Sequence, residues 1–340
     1  MIRKENFGTL PGGQQASLYT ISCGALTASV TDFGAALVRL WVPDARGNRA
    51  DVVLGYDDAQ GYLQGNACLG ATVGRNANRV KDAAFRIGNT AVNLTPNEGP
   101  NNLHSGPDPY YTRLWEVERL SDSAITLRLH SPHGDQGFPG NAVVRVTYTL
   151  EYPATLRITY DAVSDRDTVF NMTNHSYFNL AGHENCGRAM EQTLMLPARF
   201  FNPDDAQNIP TGELRGVEGT PMDFRVPKPL GKDLNTDYVP LQLQGGIDHN
   251  FEVFCQPCAI LEDPASGRQM AVFTDCPGIQ VYTANFTNED GKDGVHYGKN
   301  SAVALETQFY PDSVNHPEWP QPFVKAGRKY HSETAYRFSR

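Results

Sequence analysis

The chain has 340 residues, 40% of them apolar and 20% charged, with a formal net charge of −9. That is enough chain to bury a large core, as one big β domain or as two ordinary domains. The acidic balance argues against nucleic acid or an anionic membrane as partner, because both call for a basic face.

The N-terminus, Met-Ile-Arg-Lys-Glu-Asn-Phe-Gly, contains no apolar h-region, and no run approaches the length of a bilayer span. The expectation is a cytoplasmic protein with no membrane partner, whose six cysteines stay as thiols. Alternation of apolar and polar residues then predicts strands at 17–22, 25–30, 36–42 and 51–54. Further strands are expected at 125–130, 193–196, 259–262, 270–274, 279–284 and 302–307. In the runs 144–150 and 156–162 the alternation is cleanest: Val144, Val146, Tyr148 and Leu150 share a face, and a short break at 152–155 predicts an antiparallel hairpin. Helical periodicity over a dozen residues is almost missing. The fold class expected is therefore all-β, a sandwich of large antiparallel sheets with few short helices. No linker, repeat or charge block divides the chain, and the irregular stretch 200–246 reads as a covering or functional excursion.

The densest chemistry lies in Asn171-Met-Thr-Asn-His-Ser-Tyr-Phe-Asn-Leu180, which follows the 156–162 strand and is expected at a sheet end. His175 is its central group; the plain alternative is a core histidine satisfied by its neighbours. Other polar loops are Gly70–Arg79, Asn101–Gly106 with His104, and Gly245–Asn250 with Asp248. The glycine spacing of the first departs from a dinucleotide fingerprint, and no βαβ unit follows. Glu306 stands inside an apolar strand, where an inward carboxylate needs a partner or a raised pKa. Two histidines, two carboxylates, an arginine and many amides suit a neutral polyol. The histidines have no i, i+4 pairing, and Cys255-Gln-Pro-Cys258 lacks a second pair, so no metal is expected.

These same stretches resemble the aldose 1-epimerase, or galactose mutarotase, family. The resemblance is carried by Asn174–Leu180, Gly74–Arg79, Asn102–Gly106, Gly246–Phe251 and Leu305–Gln308, and continues through Ile209–Leu214, Gly219–Phe224 and Pro311–Pro320. It implies a single domain over 1–340, a β-supersandwich with an open cleft, and no cofactor. It further implies His175 as general acid, Glu306 as general base, and Asn78, Arg79, His104, Asp248 and Gln280 as sugar-binding residues. The partner would be a monosaccharide such as galactose or glucose, and the enzyme a monomer or weak homodimer. For the cycle to start, His175 would be protonated and Glu306 ionised, so nearby carboxylates are expected to raise the histidine pKa. Ser105 after His104, and the run Pro109-Tyr-Tyr-Thr-Arg113, depart from the family pattern beside a substrate residue. Three other readings stay open: a glycosidase using Asp248 and Glu306, a hexose-6-phosphate 1-epimerase needing extra cations, and a non-catalytic sugar-binding module.

Overall fold

The computed structural model describes residues 2–340, almost all of them in strands, turns and short loops. Five strands in chain order form the first sheet, from Arg3–Thr9 to Arg49–Asp51. A nine-stranded sheet runs in the order Glu116–Ser121, Ala124–Ser131, Ala142–Glu151, Thr155–Ser164, Lys329–Ser339, Arg268–Thr274, Ala259–Asp263, Thr193–Met195, Lys228–Pro229. A six-stranded sheet runs Tyr177–Phe178, Val303–Gln308, Gly278–Tyr282, Asp248–Glu252, Phe200–Phe201, Arg215–Gly216. All their pairings are antiparallel. This is the all-β sandwich expected. Among the described residues no helix is long and apolar enough to cross a membrane.

The main core lies where the sheets face one another. Val144, Val146, Tyr148, Leu156 and Ile158 of the large sheet join Ile279, Val281, Val303 and Leu305 of the six-stranded sheet in one buried cluster. Because side chains alternate along a strand, burying Ile279, Val281, Val303 and Leu305 on one face sends Gln280, Tyr282 and Glu306 to the other. Register completes the arrangement: Asp248 pairs with Tyr282, and Gln280 pairs with Glu306. Asp248, Gln280 and Glu306 thus share one sheet face.

The hairpin 144–150 and 156–162 forms as expected, with Val146 opposite Tyr160. Four strands of five or more residues escape the alternation rule. Lys329–Ser339, which sits mid-sheet between Thr155–Ser164 and Arg268–Thr274, is too polar to read as a central strand. Glu116–Ser121 is half-exposed, Arg3–Thr9 is an edge strand, and Asp248–Glu252 is hidden in what reads as a polar loop. The expected strand 51–54 is displaced to Arg49–Asp51, leaving only a bridge from Val53 to Phe178.

The segment that carries Asn78 and Arg79 is anchored by Arg75. Its guanidinium is fully buried and donates to the carbonyls of Pro139 at 2.8 Å and Gly140 at 2.9 Å, and to Ser131 Oγ at 2.7 Å. The rings of Phe138 and Phe170 lie 5.9 and 5.8 Å from it. A buried cation held by carbonyl oxygens ties this loop to the 131–140 turn. Arg75→Met is expected to destabilise the protein by at least about 3 kcal/mol, since it strands several buried acceptors. Urea unfolding should show a lower midpoint with an unchanged m value.

Candidate active site

His175 does not sit at the end of the 155–164 strand. The stretch 171–180 instead crosses between sheets as two short pairings, Thr173–Asn174 against Thr72–Val73 and Tyr177–Phe178 against Val303–Gln308. The imidazole-bearing residue lies between them, its N–H donating to Ala71 O and its carbonyl accepting from Gly70 N, both at 2.9 Å. Tyr177 pairs with Ala304, and continuing that register by two residues sets His175 opposite Glu306. His175 Nε2 stands 3.5 Å from Glu306 Oε1.

The supports around His175 divide their work. Asn174 donates through Nδ2 to Gly70 O at 2.8 Å and accepts on Oδ1 from Ser176 N at 3.1 Å, which holds the backbone. Tyr177 stacks on the imidazole with ring centres 4.9 Å apart and planes at 26°. His104 meets it edge-on at 5.6 Å. Glu306 Oε2 is buried with no partner, and His175 Nδ1 finds nothing beyond its own backbone carbonyl. Unpartnered buried polar atoms of this kind call for a ligand.

Two loops are stapled together beside this pair. Asn78 N–H donates to His104 Nδ1 at 3.1 Å, and His104 N–H donates to Asn78 O at 3.1 Å. Because Nδ1 accepts, neutral His104 carries its proton on Nε2 and acts as a donor. His104, His175 and Glu306 bring ligand-capable atoms within 4.8 Å of one another. A cation bound by His104 Nε2 would require a proton on Nδ1, facing the Asn78 N–H, so this set suits proton transfer and hydrogen bonding. Asn78, His104 and Ser105 all hold positive φ, at 61°, 51° and 73°. Left-handed backbone in non-glycine residues is strained and clusters at functional sites.

Arg79 forms a fork with Glu98, Nε to Oε2 at 2.7 Å and Nη2 to Oε1 at 2.9 Å. Asp248 Oδ1 accepts from Gln280 Nε2 at 2.7 Å, and Gln308 Nε2 donates to Gln280 Oε1 at 3.4 Å. The cleft, about 390 Å³, is lined by His175, Glu306, Asn78, Arg79, His104 and Asp248. That volume falls within the range of small-ligand sites. Gln280, buried on the same sheet face between Asp248 and Glu306, donates its amide to Asp248.

Burial sets the protonation of the pair. It drives Glu306 well above the usual carboxylate range, with Asp248 adding to the rise and Arg79 opposing it. His175 is pushed down to about 4, again by burial. The expected rise of the histidine is therefore not found: its carboxylate neighbour is itself driven toward the protonated form, and the enclosing rings exclude water. Burial thus favours the uncharged form of both partners, a protonated Glu306 beside a neutral His175. Burial also lowers His104, helped by the charges of His175 and Arg79, and raises Asp248 against the pull of Arg79.

The family model Aldose 1-epimerase matches residues 17–337. Galactose mutarotase of Bos taurus is 38% identical over 99% of this chain and 98% of its own length. The chain belongs to the aldose 1-epimerase family. Aldose 1-epimerase of Haemophilus influenzae is 36% identical, covering 99% of this chain and 100% of its own. Among solved structures, the GalM/aldose epimerase homologue from C. elegans superposes with a TM-score of 0.88 at 32% identity, over 95% of this chain and 99% of that one. Galactose 1-epimerase from Lactobacillus acidophilus superposes at 0.87 with 25% identity, over 100% and 98% of the two chains. The resemblance read from the sequence motifs holds, and the protein is an isomerase, an aldose mutarotase with the β-supersandwich fold of that family.

Asn174, Ser176 and Tyr177 are legible as supports of the imidazole, whereas sequence reasoning missed several residues of the cleft wall. Glu98 carries no motif, because its role depends on Arg79 reaching it across a loop. Tyr111 and Cys68 line the cleft, and Phe286 stands exposed at its rim, again without a sequence signal. Glu98→Ala removes the fork and leaves Arg79 free to swing. It is expected to lower kcat/KM for the sugar by about ten- to a hundredfold with little change in thermal midpoint, as read by steady-state polarimetry beside a melting curve.

Proposed function

We propose that His175 and Glu306 are the acid and base that open and reclose the pyranose ring of a free aldose, with galactose as the first substrate to try. The observation that carries this reading is the 3.5 Å approach of His175 Nε2 to Glu306 Oε1 on the floor of a cleft edged by polar groups. Galactose is suggested by the names of the mammalian relatives. Asn78, Arg79, His104 and Asp248 are proposed to hold the sugar hydroxyls, with Gln280 holding Asp248 in place.

Glu306 as carboxylate takes the proton of the anomeric hydroxyl, His175 as imidazolium gives its proton to the ring oxygen, and the C1–O5 bond breaks. The open aldehyde then faces a protonated Glu306 and a neutral His175, which is the distribution that burial favours. Rotation about C1–C2 presents the other carbonyl face. In closing, His175 removes the proton from the attacking hydroxyl while Glu306 returns one to the new anomeric oxygen. The pair keeps one proton throughout.

Among the described residues lining the cleft, Arg79 is the only lysine or arginine, and Glu98 already engages it. This favours neutral sugars over phosphorylated ones. The C-terminal strand Lys329–Ser339 pairs with Thr155–Ser164 on one side and Arg268–Thr274 on the other, which supports one domain over 1–340. Six free cysteines are what a reducing cytoplasm would leave.

Polarimetry of freshly dissolved α-D-galactose tests the assignment. Wild-type protein should speed the approach to anomeric equilibrium, and His175→Ala and Glu306→Ala should each lose about 10² to 10⁴-fold. Folded variants with undiminished rates would sink the pair.

The pH profile follows from the shared proton. As pH falls, a second proton enters the pair only near the lowered His175 value, about 4, and blocks the base. As pH rises, the shared proton leaves only above the raised Glu306 value. The acid limb of kcat/KM should therefore lie near 4. An acid limb at about 6.5, where an ordinary histidine titrates, would contradict the buried pair.

A further inference from the structure

The loop 311–320, Pro-Asp-Ser-Val-Asn-His-Pro-Glu-Trp-Pro, takes no part in the chemistry above. It leaves the end of the Glu306 strand, Val303–Gln308, and packs behind the segment carrying Arg79. Its second residue, Asp312, is 2% exposed and holds a left-handed φ of 58°. The Asp312 N–H donates to Arg79 O at 2.8 Å, and Asp312 Oδ1 accepts from Lys81 N–H at 2.9 Å. Together these bonds clasp the backbone on both sides of Val80. Asn315 Nδ2 reaches the same Oδ1 at 2.7 Å, and His316 Nε2 lies 3.6 Å from Oδ2.

Arg79 must aim its guanidinium at the cleft while its tip is shared with Glu98. Its backbone has no long strand to hold it, since Arg79–Val80 pairs only with Asn102–Leu103. Asp312 supplies the missing constraint from the opposite side, and it does so from the chain segment that continues the Glu306 strand. We propose that Asp312 is a positioning residue for the reaction, fixing Arg79 relative to Glu306 by clasping residues 79–81. The proposal rests on Arg79 as a sugar ligand.

Three substitutions separate the candidate causes. Asparagine and glycine both tolerate the left-handed backbone, but only asparagine keeps the Oδ1 acceptor; alanine loses the acceptor and adds strain. Asp312→Asn, Asp312→Gly and Asp312→Ala, each with and without Arg79→Ala, are compared by galactose polarimetry and thermal melting. Asp312→Asn should stay within about twofold of wild type, whereas Asp312→Gly should raise KM by roughly tenfold with kcat little changed. In the Arg79→Ala background the effect of Asp312→Gly should vanish, the non-additivity expected of residues acting as one unit. Wild-type kinetics for Asp312→Gly, a full additive loss beside Arg79→Ala, or equal damage from Asp312→Asn would each overturn the proposal. Should Asp312→Gly not fold, Asp312→Asn still decides, because its loss of activity would assign the role to charge. Full activity of Arg79→Ala alone would remove the reading of Arg79 beneath the proposal, and that single variant tells the two failures apart.

Discussion

Glu306 places a carboxyl group in a strand whose six residues are all buried, and the site is a set of answers to that one cost. An ionised carboxylate in such a place is expensive unless it is paired or takes up a proton. A guanidinium in direct contact would have paired with it and fixed it as an anion. The fold does otherwise: the fork of Arg79 is committed to Glu98, and the neighbour within reach of Glu306 is an imidazole at 3.5 Å. The imidazole is weakly basic in its dry surroundings, so the proton is drawn toward Glu306. On the proposed mechanism a carboxyl group that is costly to charge is the base, and taking up a proton relieves that cost.

The cleft walls obey a second constraint, that short polar loops must be held as firmly as strands. Asn78 and His104 exchange backbone and ring hydrogen bonds. Ser105 spends its buried hydroxyl on Asn76, donating to its carbonyl at 2.9 Å and accepting from its N–H at 2.8 Å. Arg75 anchors the start of the same segment in carbonyl oxygens. Each bond offsets a left-handed residue or an unpaired peptide group, so the strain at Asn78, His104 and Ser105 persists because its surroundings over-determine it. Rigidity of this kind holds side chains on loops with the accuracy usually expected of strands.

Much of this was legible in the residues. The alternation in 144–150 and 156–162 reports a face buried in the core, and the polar density of 171–180 marks the proposed acid. Glu306 announced itself as a carboxylate where an apolar residue belonged. What stayed hidden depends on distant partners. Lys329–Ser339 is a central strand because of the strands either side of it, and its own pattern is too polar to say so. Gln280 reads as a possible ligand by its position in a motif, yet its cross-strand place beside Glu306 turns its amide toward Asp248. The histidine pKa was misjudged for a related reason: neighbouring carboxylates are visible in sequence, whereas exclusion of water by Tyr177, His104 and Tyr282 is a property of packing.

The proton count links packing back to chemistry. Mutarotation begins and ends with a closed ring of one composition, so over the cycle the catalyst need neither gain nor lose a proton. On the proposed mechanism the opening step moves one proton from sugar to Glu306 and one from His175 to sugar, and closing reverses both. A pair that exchanged protons with solvent at each step would need an open path to water. A pair that only trades with its substrate can be buried, and burial, raising Glu306 and lowering His175, favours the uncharged distribution that the proposed ring opening produces. The same dry packing that makes Glu306 expensive to ionise therefore draws the proposed opening step toward the open-chain state, in which both partners are uncharged.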